Sequence, residues 1–388
     1  MPETQAFGKH QKNGMSSFLD SSLDITECTD ELYPMWDTYI EKHENSTHCH
    51  LSAWRNIFRR TYGHRAYYLL GQSAGKVVGV LPLFHIRGLT GKGSLVSMPF
   101  LDTGGILADS PEVEKALLLK AVLIANRLKV DNIELRNTIL PQWAITINRE
   151  DMLESEVFLD TMHNIHYSLR QFKTRMLMSL PLDPEALMAS FKSKLRSQIR
   201  RSLKDGCELI SGGRELIDQF YKVFAVNMRD LGSPVHSRKL FANILELLPD
   251  NARIFLVRKG EIPIAACLTV GFRDVLSNPW ASSLREYSHM SPNMLLYAKM
   301  LEYGCQKGFA YFDFGRASLN EGTYKFKEQW GAQPQKLYWS YMSLNRTMNL
   351  NMGYERSPFE KRAIAYWKRL PVPLTKIIGP AIRKHIAL

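Results

Sequence analysis

The feature that most constrains this chain is one pattern that occurs twice. Residues 66–70 and 77–84 are apolar, β-branched runs on either side of a turn at 73–76, which predicts a hairpin. A glycine-rich stretch follows, RGLTGKGS (87–94), and then MPFLDTGGIL. Residues 111–129, PEVEKALLLKAVLIANRLK, predict a helix, with proline and acids near its start and basic residues at its end. IELRN (133–137) predicts a strand. The second half repeats the order. A strand at 253–257, a turn at 259–261 and a strand at 262–272 lead into an irregular stretch, SNPWASS. A helix at 293–307 and a strand, YFDFG (311–315), complete it. Val80 to Glu134 is 54 residues and Ala266 to Asp313 is 47. Two long copies do not make a solenoid, whose ~20–50-residue units need several copies. They predict an α/β protein with two domains of one type, each a mixed sheet flanked by helices.

The 388 residues are enough for two such domains at about 100–200 residues each. The boundaries expected from the sequence are a mobile polar tail at 1–22, a first domain at 23–178, a second at 179–345, and a basic tail at 346–388. Between 32 and 58 helical patterning dominates, anchored by Trp36, Ile40, Trp54 and Phe58. Apolar residues make up 45% and charged residues 23%, which excludes wholesale disorder. The longest apolar runs are strand-sized, well short of the ~18–20 residues that span a bilayer. The polar N-terminus lacks the apolar core of a secretory signal. The five cysteines are widely spaced and contain no Cys-x-x-Cys, which argues against a disulfide scaffold or a zinc ribbon. A cytoplasmic location is expected.

The net charge of +12 favours anionic partners. Residues 355–388 carry eight Lys/Arg and two Glu, half of the excess. Their aromatics and isoleucines, mixed with basic residues, suit either the surface of an anionic membrane or a helix packed on the domain. Residues 192–204 carry six Lys/Arg, and Phe191, Leu195, Ile199 and Leu203 form an apolar stripe at four-residue spacing. This basic helix could dock phosphates, or could be a solvated connecting helix.

The strongest chemical constellation is Asp313, Arg316 and Lys327. The first two sit at the end of a predicted strand, where ligands often bind in α/β folds. A carboxylate there could orient or deprotonate an amine. A cation could stabilise an oxyanion or hold a phosphate. The alternative is a structural Asp313–Arg316 ion pair, with Lys325 and Lys327 on a solvated strand face. Tyr62-Gly63-His64 reads as a helix-ending turn, with His64 a candidate base or substrate ligand. His236 is similar. His48-Cys49-His50, and His163 with His166, are too few ligands for a metal site, so none is expected. Asn293 and Tyr297 would share a helix face and could line an acceptor pocket, or Asn293 could cap that helix.

Hairpin, crossover helix and strand are the plan of the GNAT acyltransferase fold, although the pattern alone fits other α+β folds. Several separated motifs narrow the choice. They are Tyr62-Gly63-His64, GVLPL (79–83), LVSMPF (95–100), GG (104–105), NMRDLGSPV (227–235), WASSLREY (280–287) and PNMLLYAKM (292–300). FDFGRAS (312–318) followed by GTYKFKEQWGA (322–332) is the most specific. From about Leu51 to Trp339 the chain resembles the FemAB-like proteins of exosortase/PEP-CTERM exopolysaccharide systems. These are relatives of the Fem peptidyltransferases and of BioF2-like GNAT acetyltransferases. The resemblance implies a tandem GNAT-like fold. It implies transfer of an acyl group from acyl-CoA, or of an aminoacyl group from aminoacyl-tRNA. The acceptor would be an amine of a cell-envelope or exopolysaccharide precursor, which could be lipid-linked and bring the protein to the inner membrane surface. Phe326-Lys327 matches the Fem Phe-Lys motif, whose lysine lies near the reacting group. Lys325 and Trp330 of the same run are expected beside it, with Tyr62, His64, Asn293 and Tyr297 as further substrate contacts.

GNAT enzymes typically cradle pyrophosphate in a Gln/Arg-x-x-Gly-x-Gly/Ala loop at a helix start. Gln72 to Val77 approaches that motif but sits in a hairpin turn, and Gly88-x-x-Gly91-x-Gly93 lacks the leading residue. The loop is absent or degenerate, which argues against acetyl-CoA and favours either the Fem-type donor or a non-standard acyl donor. It also keeps open a different class of function, a non-catalytic GNAT-fold protein that binds a polysaccharide intermediate or a biosynthetic partner. No sequence-specific nucleic-acid module is recognisable.

Overall fold

The computed structural model describes residues 23–88, 91, 93–141, 157–159, 165–171, 173–319, 321–344 and 357–387. The first half runs β1 (Asp24–Glu27), α1 (Tyr33–Lys42), α2 (Ala53–Tyr62), β2 (Arg65–Ser73), β3 (Lys76–Arg87), β4 (Gly93–Val96), β5 (Leu107–Ala108), α3 (Pro111–Leu128) and β6 (Asn132–Asn137). Then come β7 (Val157–Leu159), β8 (Ile165–Arg170) and β9 (Thr174–Ser179). The second half runs α4 (Pro184–Ser190), α5 (Ser193–Lys204), β10 (Cys207–Gly212), α6 (Ile217–Leu231), α7 (Arg238–Leu247), β11 (Ala252–Lys259), β12 (Ile262–Phe272), β13 (Val275–Ser283), α8 (Pro292–Gln306) and β14 (Tyr311–Ala317). It ends with α9 (Gly322–Glu328), β15 (Gln333–Lys336), β16 (Tyr338–Ser343), α10 (Pro358–Trp367) and α11 (Val372–Arg383).

Each half forms a mixed sheet, and the repeat read from the sequence is real. β2 and β3 pair antiparallel, β4 pairs parallel with β6, and α3 connects them. In the second half β11 and β12 pair antiparallel, β13 pairs parallel with β14, and α8 connects them. Ser110 caps α3 through its hydroxyl, which accepts from the Val113 amide, and Pro111 opens the helix. Lys129, in the left-handed region, ends it.

The sheets depart from a linear division at 178/179. β16, from the far end of the chain, inserts between β6 and β8 of the first sheet. β9, from the first half, lies between β14 and β15 of the second. Each sheet thus completes itself with a strand from the other side of the boundary. The core is shared as well. One continuous cluster joins Trp36, Trp54, Phe58 and Phe84 to Phe220, Phe241, Leu268 and Trp280. α3 covers the outer face of the first sheet, and α4, α5 and α8 pack on the second.

Several local expectations change. SNPWASS is a strand, because Pro279 sits in a bulge where Asn278 and Pro279 face the single residue Thr269. The basic run lies in α5 and its N-cap Lys192, and Phe191 precedes it at the end of α4. Phe191, Leu195 and Ile199 are buried, but Leu203 is half-exposed. Four-residue steps advance 400° around a 3.6-residue helix, so the stripe drifts off the core by its last member. The basic tail folds into α10 and α11, and α11 packs on α6. Gly379 lets α11 pass close to the segment after α6, since a Cβ there would lie 2.9 Å from the Val235 nitrogen. His166 lies in strand β8, while residues 1–22 and His163 lie outside the described residues. Among the described residues no helix is long and apolar enough to cross a membrane, and no group of three His, Cys, Asp or Glu side chains is placed to hold a metal.

The strand exchange predicts that residues 1–178 and 179–388, expressed separately, will each fail to unfold cooperatively, because each lacks a strand internal to its sheet. Cooperative thermal unfolding of either half alone, followed by circular dichroism, would contradict this.

Candidate active site

β13 and β14 run parallel only from Val275–Ser277 against Tyr311–Asp313, and then part. The Asn278–Pro279 bulge breaks the ladder of β13 at that point. β14 carries a bulge of its own, with Phe314 and Gly315 opposite the single residue Met176 of β9. Gly315 has φ +74°, a left-handed conformation that a side chain would strain. In a regular strand Asp313 and Arg316 would face opposite ways. The extra residue returns Arg316 to the side of Asp313, and both line one cavity.

The cavity, about 250 Å³, lies between the two halves of the chain. The first half contributes His48 and the loop from Phe100 to Thr103, and the second contributes Asn278, Asp313, Arg316 and Lys327. Two tryptophans fix the His48 turn, since the Trp54 indole donates to the His48 carbonyl and the Trp36 indole to that of His50, both at 2.7 Å. Asp102 crosses to β14. Its Oδ2 accepts from the Arg316 amide at 3.1 Å, and its Oδ1 lies 3.3 Å from Arg316 Nε. Asp313 is held on both oxygens, Oδ2 by Arg175 Nε at 2.6 Å and Oδ1 by the Gly315 amide at 2.8 Å.

Lys327 projects from α9 and donates to the Arg316 carbonyl at 2.7 Å. Burial pushes its ammonium down to about 8; Asp102 and Asp313 oppose that shift and Arg316 adds to it. Burial likewise pushes His48 down to about 4, so its imidazole is neutral near pH 7. His236, also on the cavity wall, is lowered well below its ordinary value by burial and by Arg383. Asn278 is buried and lines the cavity, and its Nδ2 has no hydrogen-bond partner among the described residues.

Asp313, Arg316 and Lys327 therefore meet. The other expected contacts do not join them. Lys325 is exposed, because α9 is a helix rather than a strand and residues two apart point about 200° apart. Trp330 is buried against Phe191 and Tyr297. Tyr297 stacks on Phe314, with ring centroids 5.4 Å apart, so it supports the cavity from behind. Asn293 donates to Ser283 Oγ at 3.0 Å and does not cap α8. Gly63 ends α2 with φ +73°, as read from the sequence. His64 Nε2 has no hydrogen-bond partner among the described residues, and the ring lies in a separate cavity with Tyr62. The Tyr62 hydroxyl reaches His236 Nδ1 at 2.8 Å. The sequence reading missed Asp102, Asn278, Arg175 and Arg383. His48 enters the sequence argument only in a cluster too small to hold a metal.

The connection from β13 to α8 contains no glycine. It forms a 3-10 turn in which the Tyr287 amide donates to the Leu284 carbonyl and the Ser291 amide to that of Ser288.

Residues 189–328 match the model of an acetyltransferase (GNAT) domain. No curated protein sequence matches the chain. Among solved structures the chain is similar to FemX, at 17% identity and TM-score 0.62, over 81% of this chain and 96% of that one. It is similar to a tandem GNAT protein from the clavulanic acid biosynthesis pathway, at 12% identity and TM-score 0.52, over 84% and 100%. It is also similar to L-PGS from Bacillus licheniformis, at 13% identity and TM-score 0.50, over 91% and 98%. At these identities the likeness is one of fold, and the fold is the tandem GNAT arrangement of Fem type.

Replacing Arg175 with Met leaves the Asp313 carboxylate buried without its cation. A loss of about 3 kcal/mol is expected in chemical denaturation. An unchanged midpoint would show that the pair does not hold β9 to β14.

Proposed function

We propose that the protein is an N-acyltransferase or aminoacyltransferase that joins an activated acyl group to an amine in the cavity between its two halves. The observation that carries this reading is the buried Lys327 ammonium, set among two aspartates at the point where β13 and β14 part. A neutral amine attacks the carbonyl carbon of the donor, forming a C–N bond and an oxyanion. Lys327 Nζ and the unpartnered Asn278 Nδ2 are donors suited to that oxyanion. The nitrogen, now cationic, must lose a proton. Asp102 suits this step better than Asp313. Its side chain is 31% exposed against 12%, and its contact with a guanidinium is longer, 3.3 Å to Arg316 Nε against 2.6 Å from Asp313 to Arg175 Nε. The tetrahedral intermediate then collapses, the bond to the leaving oxygen or sulfur breaks, and the leaving group takes a proton. A lysine near 8 suits that donation at neutral pH. Arg316 remains available for an anionic part of a substrate.

The turn from Leu284 to Ser291 supports an aminoacyl ester over a CoA thioester. It lacks glycine, and at least two of its amides are spent inside the turn. The acceptor, an amine of a cell-envelope or exopolysaccharide precursor, is proposed on the sequence resemblance alone, as is contact with the inner membrane.

The test is transfer of labelled acyl groups from acyl-CoAs and from charged tRNA to amine acceptors by the full chain. Transfer from neither, with no stabilisation by either donor in thermal unfolding, would overturn the proposal.

Lys327→Met should lower transfer about a hundredfold or more. The folded lysine, near 8, loses its proton more readily than the unfolded one, near 10.5. The native state is therefore penalised increasingly as pH falls through that window, and fully below it. Hence the variant's thermal midpoint at pH 7 should not fall. Loss of activity together with a large drop in the midpoint would instead mark Lys327 as structural. If the protonated lysine is the working form, the wild-type rate should decline as pH rises through about 8. A rate that keeps climbing to pH 10 would exclude that role.

A further inference from the structure

The last two helices of the chain turn apolar side chains outward. In α10, Ile364 and Lys368, four residues apart, face the turn after α6. A Cβ on Gly232 in that turn would lie 2.5 Å from Ile364 Cγ2 and 3.0 Å from Lys368 Cε. Phe359 and Tyr366 are seven residues apart, almost two whole turns, so they share the opposite side of the helix. They are 80% and 71% exposed. In α11, Thr375, Gly379 and Arg383 recur every four residues and are buried. Leu374, Ile377 and Ala381 lie on the other side, with Ile377 75% exposed and Leu374 41%. Arg229 Nη1 donates to the Leu370 carbonyl at 3.2 Å and holds the connection between the two helices on α6.

These apolar groups stand among cations. Residues 357–387 carry seven Lys/Arg and one acid, Glu360. Glu360 is engaged at the start of α10, where it accepts from the Ser357 amide at 2.8 Å and closes a capping box. Lys361, Arg362, Lys368, Arg369 and Lys376 are exposed and make no salt bridge among the described residues. Aromatic and aliphatic side chains on one face, with Lys and Arg around them, are the make-up of a helix that lies in the headgroup region of a bilayer. The centre of a protein–protein interface is instead depleted in charge.

We propose that the outward faces of α10 and α11 dock the protein on the surface of an anionic lipid bilayer. Phe359, Tyr366, Leu374 and Ile377 enter the headgroup region, and Arg362 and Arg369 pair with lipid phosphates. Helices of 10 and 12 residues are too short to cross the ~30 Å hydrocarbon core, so the contact is peripheral. Arg383, at the end of α11, lines the central cavity, and it follows Ile377 by six residues, about 9 Å along the helix. Docking on this face therefore holds the central cavity close to the headgroups. The resemblance in sequence brings the protein to a membrane without naming a surface. This surface is assigned on exposure and charge, independently of acyl transfer, so vesicle binding and transfer can fail separately.

The test is co-sedimentation of the full chain with vesicles at low ionic strength. One set is phosphatidylcholine alone, and in the other a third of the lipid is phosphatidylglycerol. Binding is expected to the second set only and should fall as salt is added. Phe359→Ser combined with Ile377→Ser should weaken it about tenfold or more, because both apolar side chains lose their burial in lipid. Arg362→Gln combined with Arg369→Gln should weaken it about tenfold. All four side chains are exposed, so the thermal midpoint of either variant should not move. Two controls should leave binding unchanged. One is Leu182→Ser, at a leucine that is 84% exposed elsewhere on the surface. The other is Lys194→Gln combined with Arg200→Gln, on the basic helix α5. Absence of binding to the anionic vesicles, undiminished binding in the Phe359→Ser, Ile377→Ser variant, or equal weakening by either control would each overturn the proposal. Equal binding to phosphatidylcholine alone would overturn the pairing with anionic lipid. Self-association without vesicle binding, abolished by Phe359→Ser with Ile377→Ser, would give the face to a second copy of the chain and overturn it too.

Discussion

The guanidinium of Arg136 is the interaction on which the cavity between the two halves depends. It is wholly buried and engaged on every side. Its Nε donates to Glu134 at 2.8 Å, and one amino group donates to the carbonyls of Met98 and Leu101. The other reaches the Ala387 carbonyl at 3.2 Å, and the Trp339 ring lies 4.8 Å away. A charge this deep is tolerated only when its donors are satisfied and a counter-ion is near. Here that requirement dictates the path of the loop from 97 to 102. Phe100 sits at φ +69°, unusual for a bulky residue, and its amide donates to the same Ala387 carbonyl at 2.7 Å. Asp102 follows two residues later. Its place opposite Arg316 is set by a cation that does not itself line the cavity.

Around that fixed loop, two bulges do the aiming. The one at Asn278–Pro279 ends the pairing of β13 with β14 and turns an amide donor into the gap. The one at Phe314–Gly315 brings Asp313 and Arg316 to the same side. Both disrupt a regular ladder, and both sit where charges converge. Polar groups crowded in a small volume, one of them an ammonium depressed by burial, are the pattern expected where a site is arranged for reaction rather than for stability.

Much of the architecture was legible in the sequence because hairpins and helices are local. The β2–β3 and β11–β12 hairpins, α3 and α8 follow from runs and caps within a few residues. The exchange of β9 and β16 is not local. Nothing in TRMLMS or YWSYMS says which sheet each will join, since either could fill an internal position of either one. β13 was obscured by its proline, which reads as a breaker unless the bulge is known. In the site, Asp313, Arg316 and Lys327 were visible because they share one short run. Asp102 lies more than two hundred residues away, in a loop whose only signals are a proline and two glycines. Lys325 and Lys327 could not be told apart until α9 was seen to be helical.

The crossing of strands also has a consequence for the order in which the chain can become structured during synthesis. When β6 and β8 have left the ribosome, the position between them is still empty, and it is filled only by residues near 340. The first sheet must wait, partly open at its middle, while the whole second half is made. β9, by contrast, is in place before its partner β14 exists. The amino-terminal half is thus the later of the two to close. For that interval it presents two unpaired strand edges, which makes it the part of the nascent protein most exposed to mispairing and to chaperones.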